Sequence, residues 1–303
     1  MSRRASYSIL VAGCVAVTAS APVRTIEPAA AERQAQERVV YVSAFDAATR
    51  KPVPTLTPND IAVREDGVAR EVLRIAPATS PMPVALVVDN SQAMEPAIAE
   101  LRRALTAFVS GIDGLGPVTL VTVADRPTIV VGYTTARQEL VDAVNRLFHA
   151  PTSGATLVDA IGDVAKGLGR RESDRAAIVA VTGELTEFSQ SPYQTVLEDL
   201  RDSGAALHAV VLTNPGGSLA TEEARTRATV LDRGPRESGG LRIDVLSSQS
   251  FEPRLTELAG ILRAQYRVVY SRPPALIPPK RIEVSGTRRE IEARGTPARG
   301  GQP

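Results

Sequence analysis

The sequence predicts an α/β protein: a doubly wound, mostly parallel sheet with one antiparallel edge strand, preceded by a small β unit. Three observations predict it. From residue 84 onward, short apolar runs alternate with segments whose apolar residues recur at threes and fours, the pattern of strands alternating with helices. The run VALVV (84–88) is apolar at every position, as a strand covered on both faces must be. Runs 118–123 and 128–131 are joined only by Ala124-Asp125-Arg126-Pro127, too short for a crossover, so that pair must be antiparallel.

The elements run in chain order. Residues 39–42 (VVYV) read as a strand, and 46–54 carry turn residues. Residues 61–64 read as a second strand. Glu65-Asp66-Gly67 is an Asp-Gly hairpin signal, with 71–75 returning as the third strand. A unit of about 40 residues buries little by itself, so it is expected to pack on the α/β domain C-terminal to it. Pro81 and Pro83 mark the boundary. The first helix carries Met94, Ile98, Leu101, Leu105, Phe108 and Ile112 on one face. The second presents Leu140, Val144, Leu147 and Phe148, and the third Leu157, Ile161, Val164 and Leu168. Residues 176–181, 207–212 and 243–246 read as further strands. Short helices are expected at 195–202 and 222–231. A last helix carries Phe251, Leu255, Leu258 and Leu262, and 265–270 and 281–294 are strand-like. No repeat is present. The expected organisation is an N-terminal signal at 1–21, a linker at 22–38, the β unit at 39–80, the α/β domain at 83–271, and a C-terminal strand and tail at 272–303.

Composition narrows the function. An apolar share of 43% with 23% charged residues is ordinary for a globular chain. With 35 basic against 34 acidic side chains, there is no electrostatic case for nucleic acid as a partner. The two histidines (His149 and His208) and the one cysteine leave almost no material for a zinc site or a Cys/His pair. His208 lies inside an apolar run and reads as structural. Asp159 and Asp163, four apart, read as the solvent side of the third helix.

The N-terminus reads as an export signal. Met1-Ser-Arg-Arg is positive, and residues 9–19 form an apolar run too short for a membrane span, which needs about 20 residues. Val11-Ala12-Gly13-Cys14 has the form of a lipobox, which makes Cys14 the candidate lipidation site. The competing reading is ordinary cleavage near 19–21. The destination is periplasmic, cell-envelope or secreted, with membrane contact only through that lipid or an uncleaved signal.

Three loops fall where ligands bind in open α/β sheets, beyond the carboxyl ends of the strands. They are Asp89-Asn90-Ser91-Gln92-Ala93, Gly154-Ala155-Thr156 and Thr182-Gly183-Glu184. From about residue 84 to 270 the chain resembles a von Willebrand factor type A domain, a Rossmann-like fold. That family places Asp-x-Ser-x-Ser, a threonine and Thr-Asp-Gly on these three loops to form a metal-ion-dependent adhesion site, usually for magnesium. Asp89, Ser91 and Thr156 match three ligand positions. Ala93 and Gly183 stand where the family has a serine and an aspartate, and Glu184 is the available stand-in for the missing carboxylate. The leader, residues 56–67, and the end, residues 262–270, resemble a bacterial exported subgroup.

Two readings of this degenerate site remain open. In one, Asp89, Ser91, Thr156 and Glu184 hold Mg2+ with waters filling the gaps. In the other there is no cofactor: Asp89 and Ser91 cap the first helix and Thr156 caps the third. The resemblance implies a non-enzymatic module that binds a protein partner at the carboxyl edge with weak or no metal dependence. The alternatives are an envelope scaffold whose β unit and C-terminal strand make the contacts, and an exported hydrolase using Ser91.

Overall fold

A computed structural model describes residues 36–171, 173–183, 186–213, 220–274, 279 and 281–299. Cys14, the expected signal and Glu184 lie outside them. The N-terminal strands are β1 (Gln36–Asp46), β2 (Ile61–Glu65), β3 (Val68–Arg70) and β4 (Val72–Pro77). Then come β5 (Val84–Val88), α1 (Ile98–Gly111), β6 (Val118–Thr122), β7 (Thr128–Thr134), α2 (Arg137–Asn145) and α3 (Leu157–Gly169). Next are β8 (Ala176–Gly183), α4 (Tyr193–Ser203), β9 (Ala205–Leu212), α5 (Glu222–Ser238) and β10 (Arg242–Val245). The chain ends with α6 (Phe251–Arg263), β11 (Tyr266–Arg272), β12 (Ile282–Gly286) and β13 (Ile291–Pro297).

The central sheet has the order β10-β9-β8-β5-β6-β7. Every neighbouring pair is parallel except β6 and β7, which the short join at 124–127 forces antiparallel. Its inner strands β5, β8 and β9 are buried on both sides because each side meets helices, whereas the edge strands β7 and β10 are partly exposed. Val84, Leu86 and Val88 feed one core with α1, α2 and α6, while Ala85 and Val87 feed the other with α3, α4 and α5. After β5 the chain crosses toward β6, whereas after β8 it crosses toward β9. The crevice between the carboxyl ends of β5 and β8 is therefore the switch point of the sheet.

The N-terminal strands are completed by the far end of the chain. β1 lies between β13 and β11 in a four-stranded antiparallel sheet, with β4 on the outer side of β11. β12 pairs with β2, which pairs with β3. Val40, Val42, Leu56, Val63, Val268, Tyr270 and Ile291 form the core of these two sheets. Glu65 is buried there, where it accepts from Tyr270 Oη at 2.8 Å and pairs with Arg70 at 2.9 Å.

Several local expectations change. The hairpin does turn at Asp66-Gly67, both in left-handed backbone, but it returns over 68–70; the stretch expected to return, 71–75, instead joins β11 as β4. One strand cannot serve both sheets, so the chain breaks at Glu71. At Gly67, φ is +83° and nothing lies within 4 Å of an added Cβ, so backbone strain is the only cost of a side chain there. Gly67→Ala is expected to destabilise by about 1 kcal/mol in urea titration. Phe148 lies beyond the end of α2 and is exposed, as is Leu246 beyond β10. Among the described residues no helix is long and apolar enough to cross a membrane.

Candidate functional site

Asp89 leaves the end of β5 with its backbone N–H bonded to Val181 O of β8 at 2.9 Å, which sets its carboxylate in the switch-point crevice. The residue is fully buried. Its Oδ1 accepts from Ser91 N at 2.9 Å and its Oδ2 from Thr182 Oγ1 at 2.7 Å. Ser91 occupies the N-cap position of a 3-10 turn over Gln92–Ala97 that precedes α1, so the α-helix begins later than the junction suggests. Pro96 lies within that turn.

Neither hydroxyl expected to cap a helix does so. Ser91 Oγ is buried and has no hydrogen-bond partner among the described residues, and Thr156 Oγ1 donates back to Val123 O at 3.0 Å. Asp89 satisfies the N–H of Ser91, outside the helix proper. Thr156 arrives at the same crevice because its backbone N–H also bonds Val123 O, at the end of the β6 strand run. Asp89 and Ser91, from the loop after β5, and Thr156, from the loop between α2 and α3, thus come from two loop segments onto one edge.

Three further residues complete the cluster, and sequence reasoning passed over them as functional groups. Thr182, fully buried at the end of β8, donates to Asp89. Arg227 of α5 reaches it from the other side: its Nη2 donates to Thr182 Oγ1 at 2.8 Å and to Gly183 O. Arg227 Nε lies 3.2 Å from Glu187 Oε2, and both side chains are almost completely buried. Glu187 is further held by Ser189, whose Oγ and N–H both donate to Oε1. Burial pushes the Glu187 carboxyl above its ordinary range, outweighing the Ser189 hydrogen bonds and Arg227, which pull it down. A signal for Arg227 exists in the sequence: Arg227, Val230, Leu231 and Gly234 share one face of α5, and that face is buried.

A divalent cation fits this cluster poorly. The free Ser91 Oγ is the kind of atom an ion would use, and Asp89 supplies one charge. Ala93 and Gly183, however, bring no side-chain oxygen, and the place beside Gly183 is taken by a guanidinium. A divalent ion at this cluster would stand close to that fixed positive charge, and like-charge repulsion in a site shielded from water opposes it. Among the described residues no group of three His, Cys, Asp or Glu side chains is arranged to hold a metal.

The loops around the cluster are stitched together. Asn90 Oδ1 accepts from Ala124 N at 3.1 Å and its Nδ2 donates to Phe148 O at 3.2 Å. Ala150 N donates to Asn90 O, Gln92 N to Ser153 Oγ, and Phe188 N to Ala155 O. Two aromatic rings stand out from this frame, Phe148 at 67% exposure and Phe188 at 56%. The Phe188 ring lies so close to Gly154 that a Cβ there would meet it at 2.0 Å. Asp159 is not a purely solvent group: its carboxylate accepts from Gln190 N and Ser191 N, which pins the loop carrying Phe188 to α3, whereas Asp163 is exposed. His208 is fully buried in β9, and His149 lies 3.9 Å from Glu95.

Comparison with known proteins points to the same stretch. Residues 84–185 match the family model for the von Willebrand factor type A domain. Among solved structures, the chain is similar to a von Willebrand factor type A protein from Catenulispora acidiphila, with 11% identity and a TM-score of 0.48 over 87% of this chain and 72% of that one. It is similar to BatB from Bacteroides thetaiotaomicron at 12% identity and a TM-score of 0.42, covering 59% and 98% of the two chains. The SpRpn10 VWA domain is similar at 14% identity and a TM-score of 0.43, covering 60% and 97%. The chain spans 44% of human COPII-coat protein Sec24c and 62% of the PilB minor pilin from Streptococcus sanguinis. No curated protein sequence matches it. By the match over its first sheet strands and switch-point loops, residues 84–185 belong to the von Willebrand factor type A domain family.

Proposed function

We propose that this chain is an exported, non-enzymatic interaction module that binds a protein partner at the carboxyl edge of its central sheet. The observation that carries the reading is the pair of exposed phenylalanines, Phe148 and Phe188, on the stitched loops that flank the Asp89 cluster. Exposed single apolar residues are common, but two rings held on a rigid frame at the ligand-binding edge are suited to insertion into a partner. Burying each contributes about 1.5–3 kcal/mol. Met1-Ser-Arg-Arg and the short apolar run at 9–19 support export, and Cys14 is the residue that would carry a lipid anchor.

Two alternatives have less behind them. A hydrolase would need a base within hydrogen-bond reach of Ser91; His208 is enclosed in β9 and His149 faces Glu95. A scaffold acting through its β unit and C-terminal strand has the edge strands β13 and β12 available, but among the described residues neither carries an exposed large apolar side chain.

The test is quantitative cross-linked capture from the native envelope by the full chain. Phe148→Ser with Phe188→Ser is expected to reduce capture of any specific partner at least tenfold while leaving stability within about 0.5 kcal/mol. Val68→Ser, an exposed apolar residue of the β2–β3 hairpin, serves as control and is expected to have no effect. Equal capture by the double variant and the control would sink the reading.

A further inference from the structure

We infer that Arg227 is the resident cation of the carboxyl edge: its guanidinium takes the electrostatic place of a metal ion and holds the Asp89 cluster in a form closed to divalent cations. The inference is independent of which partner binds.

Three observations lead to it. First, the crevice brings together two buried carboxylates, Asp89 and Glu187, which need positive charge nearby to remain buried. Second, Arg227 stands between them. It pairs directly with Glu187 at 3.2 Å, and it reaches Asp89 through one hydroxyl, donating to Thr182 Oγ1, which donates onward to Asp89 Oδ2. A threonine hydroxyl has one proton and two lone pairs, so it can accept from arginine and still donate its proton to the carboxylate, the nearer of its acceptors. Third, Gly183 makes room for this arrangement. Its carbonyl oxygen accepts from Arg227 Nη2, and no side chain at 183 competes for the guanidinium. The absence of an aspartate at Gly183 and the presence of an arginine at 227 are then one change rather than two. An added carboxylate would call for an ion, whereas the guanidinium replaces it.

A guanidinium differs from an ion in a way that matters here. It is covalently tethered, always charged, and has its donors in a fixed fork. It cannot be removed by a chelator, and it leaves no open coordination position for a partner carboxylate. Arg227 is accordingly a positioning residue, acting on the loops through Thr182 and Glu187.

The test uses the full chain and Mn2+ or Mg2+ as the probe. For the wild type, calorimetric titration to 10 mM ion is expected to show no binding, and 10 mM ion or EDTA should leave the urea midpoint unchanged. Arg227→Met is expected to raise the unfolding equilibrium constant at least about a hundredfold, because two buried carboxylates lose their counter-charge. Adding Asp89→Asn to Arg227→Met should recover part of that loss, so that Asp89→Asn is harmful in the wild type and helpful in the variant. In Arg227→Met, 10 mM Mn2+ should lower the unfolding constant about tenfold, as mass action gives for a site of about 1 mM affinity. A merely structural arginine would not create an ion response. The inference is overturned by wild-type ion binding that Asp89→Asn abolishes, or by an Asp89→Asn effect that is the same in both backgrounds. If Arg227→Met does not fold, the wild-type titration with its Asp89→Asn control still decides against or for the closed site.

Discussion

Replacing Arg175 by alanine is expected to lower the free energy of unfolding by about 3 kcal/mol. Arg175 is buried just before β8, at the end of the sheet opposite the Asp89 crevice. Its Nε donates to Ser80 O at 2.8 Å, its Nη2 to Ala78 O at 3.3 Å and its Nη1 to Gln265 Oε1 at 3.1 Å. Ala78 and Ser80 belong to the connection from β4 into the central sheet, and Gln265 to the connection from α6 back out to β11. One guanidinium therefore ties both chain crossings to the root of β8. Gln265 passes the network on by donating to Ser43 Oγ of β1 at 3.2 Å. The planar fork is essential because three acceptors are reached from one group, so Arg175→Lys is expected to lose most of the same stability. Urea denaturation at pH 7 monitored by circular dichroism measures both. A cost below about 1 kcal/mol for the alanine variant would show that the crossings hold without it. Capture through Phe148 and Phe188 should survive in the folded fraction, since those loops lie at the other end of the strands.

Acid sensitivity is the second large effect, and it centres on His208. The side chain is completely buried in β9, neither ring nitrogen has a hydrogen-bond partner among the described residues, and burial pushes its pKa down from 6.5 to about 4. The ring is therefore neutral in the folded chain throughout the physiological range. Between pH 6.5 and 4 the unfolded chain binds a proton at this position that the folded chain does not. Stability contributed by the neutral ring is thus fully present above 6.5 and is lost as pH falls toward 4. The shift corresponds to about 3 kcal/mol over that window. His208→Leu, of similar volume, should remove that dependence and also the cost of two unsatisfied buried nitrogens. It is expected to be more stable than the wild type at pH 7 by about 1 kcal/mol, and by more at pH 5. Urea midpoints from pH 4 to 8 for both proteins check this. Parallel curves for the two would place the acid sensitivity elsewhere.

Both residues show where sequence reading stops. His208 reads correctly as structural from its apolar neighbours, because a strand with no polar alternation must be covered on both faces. Arg175 gives no signal of its own, since an arginine before a strand reads as a solvated surface group. Its three acceptors come from segments about 90 residues away on either side.

The candidate site divides in the same way. Asp89 and Ser91 are legible because they come directly after a parallel strand, which delivers its next loop to the carboxyl edge of the sheet, whereas Thr156 stands between α2 and α3 and is legible only from the resemblance. Their roles are less legible. The hydroxyls of Ser91 and Thr156 could have capped helices, but instead one is left without a partner among the described residues and the other returns to Val123. Only the path of the backbone through those loops decides between the two.

What the sequence by itself determined was the alternation of strands and helices, the antiparallel pair at β6 and β7, and the position of Asp89 and Ser91 at the carboxyl end of β5. These depend on local period, short connections and the direction of parallel strands, all written within a few tens of residues. What only the tertiary structure decided was that β12 and β13 return to pair with β2 and β1, and that Arg227 of α5 meets Thr182 and Glu187 beside Asp89. The apolar face of α5 marks Arg227 as turned inward, but it does not say which groups the guanidinium meets. The packing of α5 against the sheet makes that choice, and it depends on residues far apart in the chain.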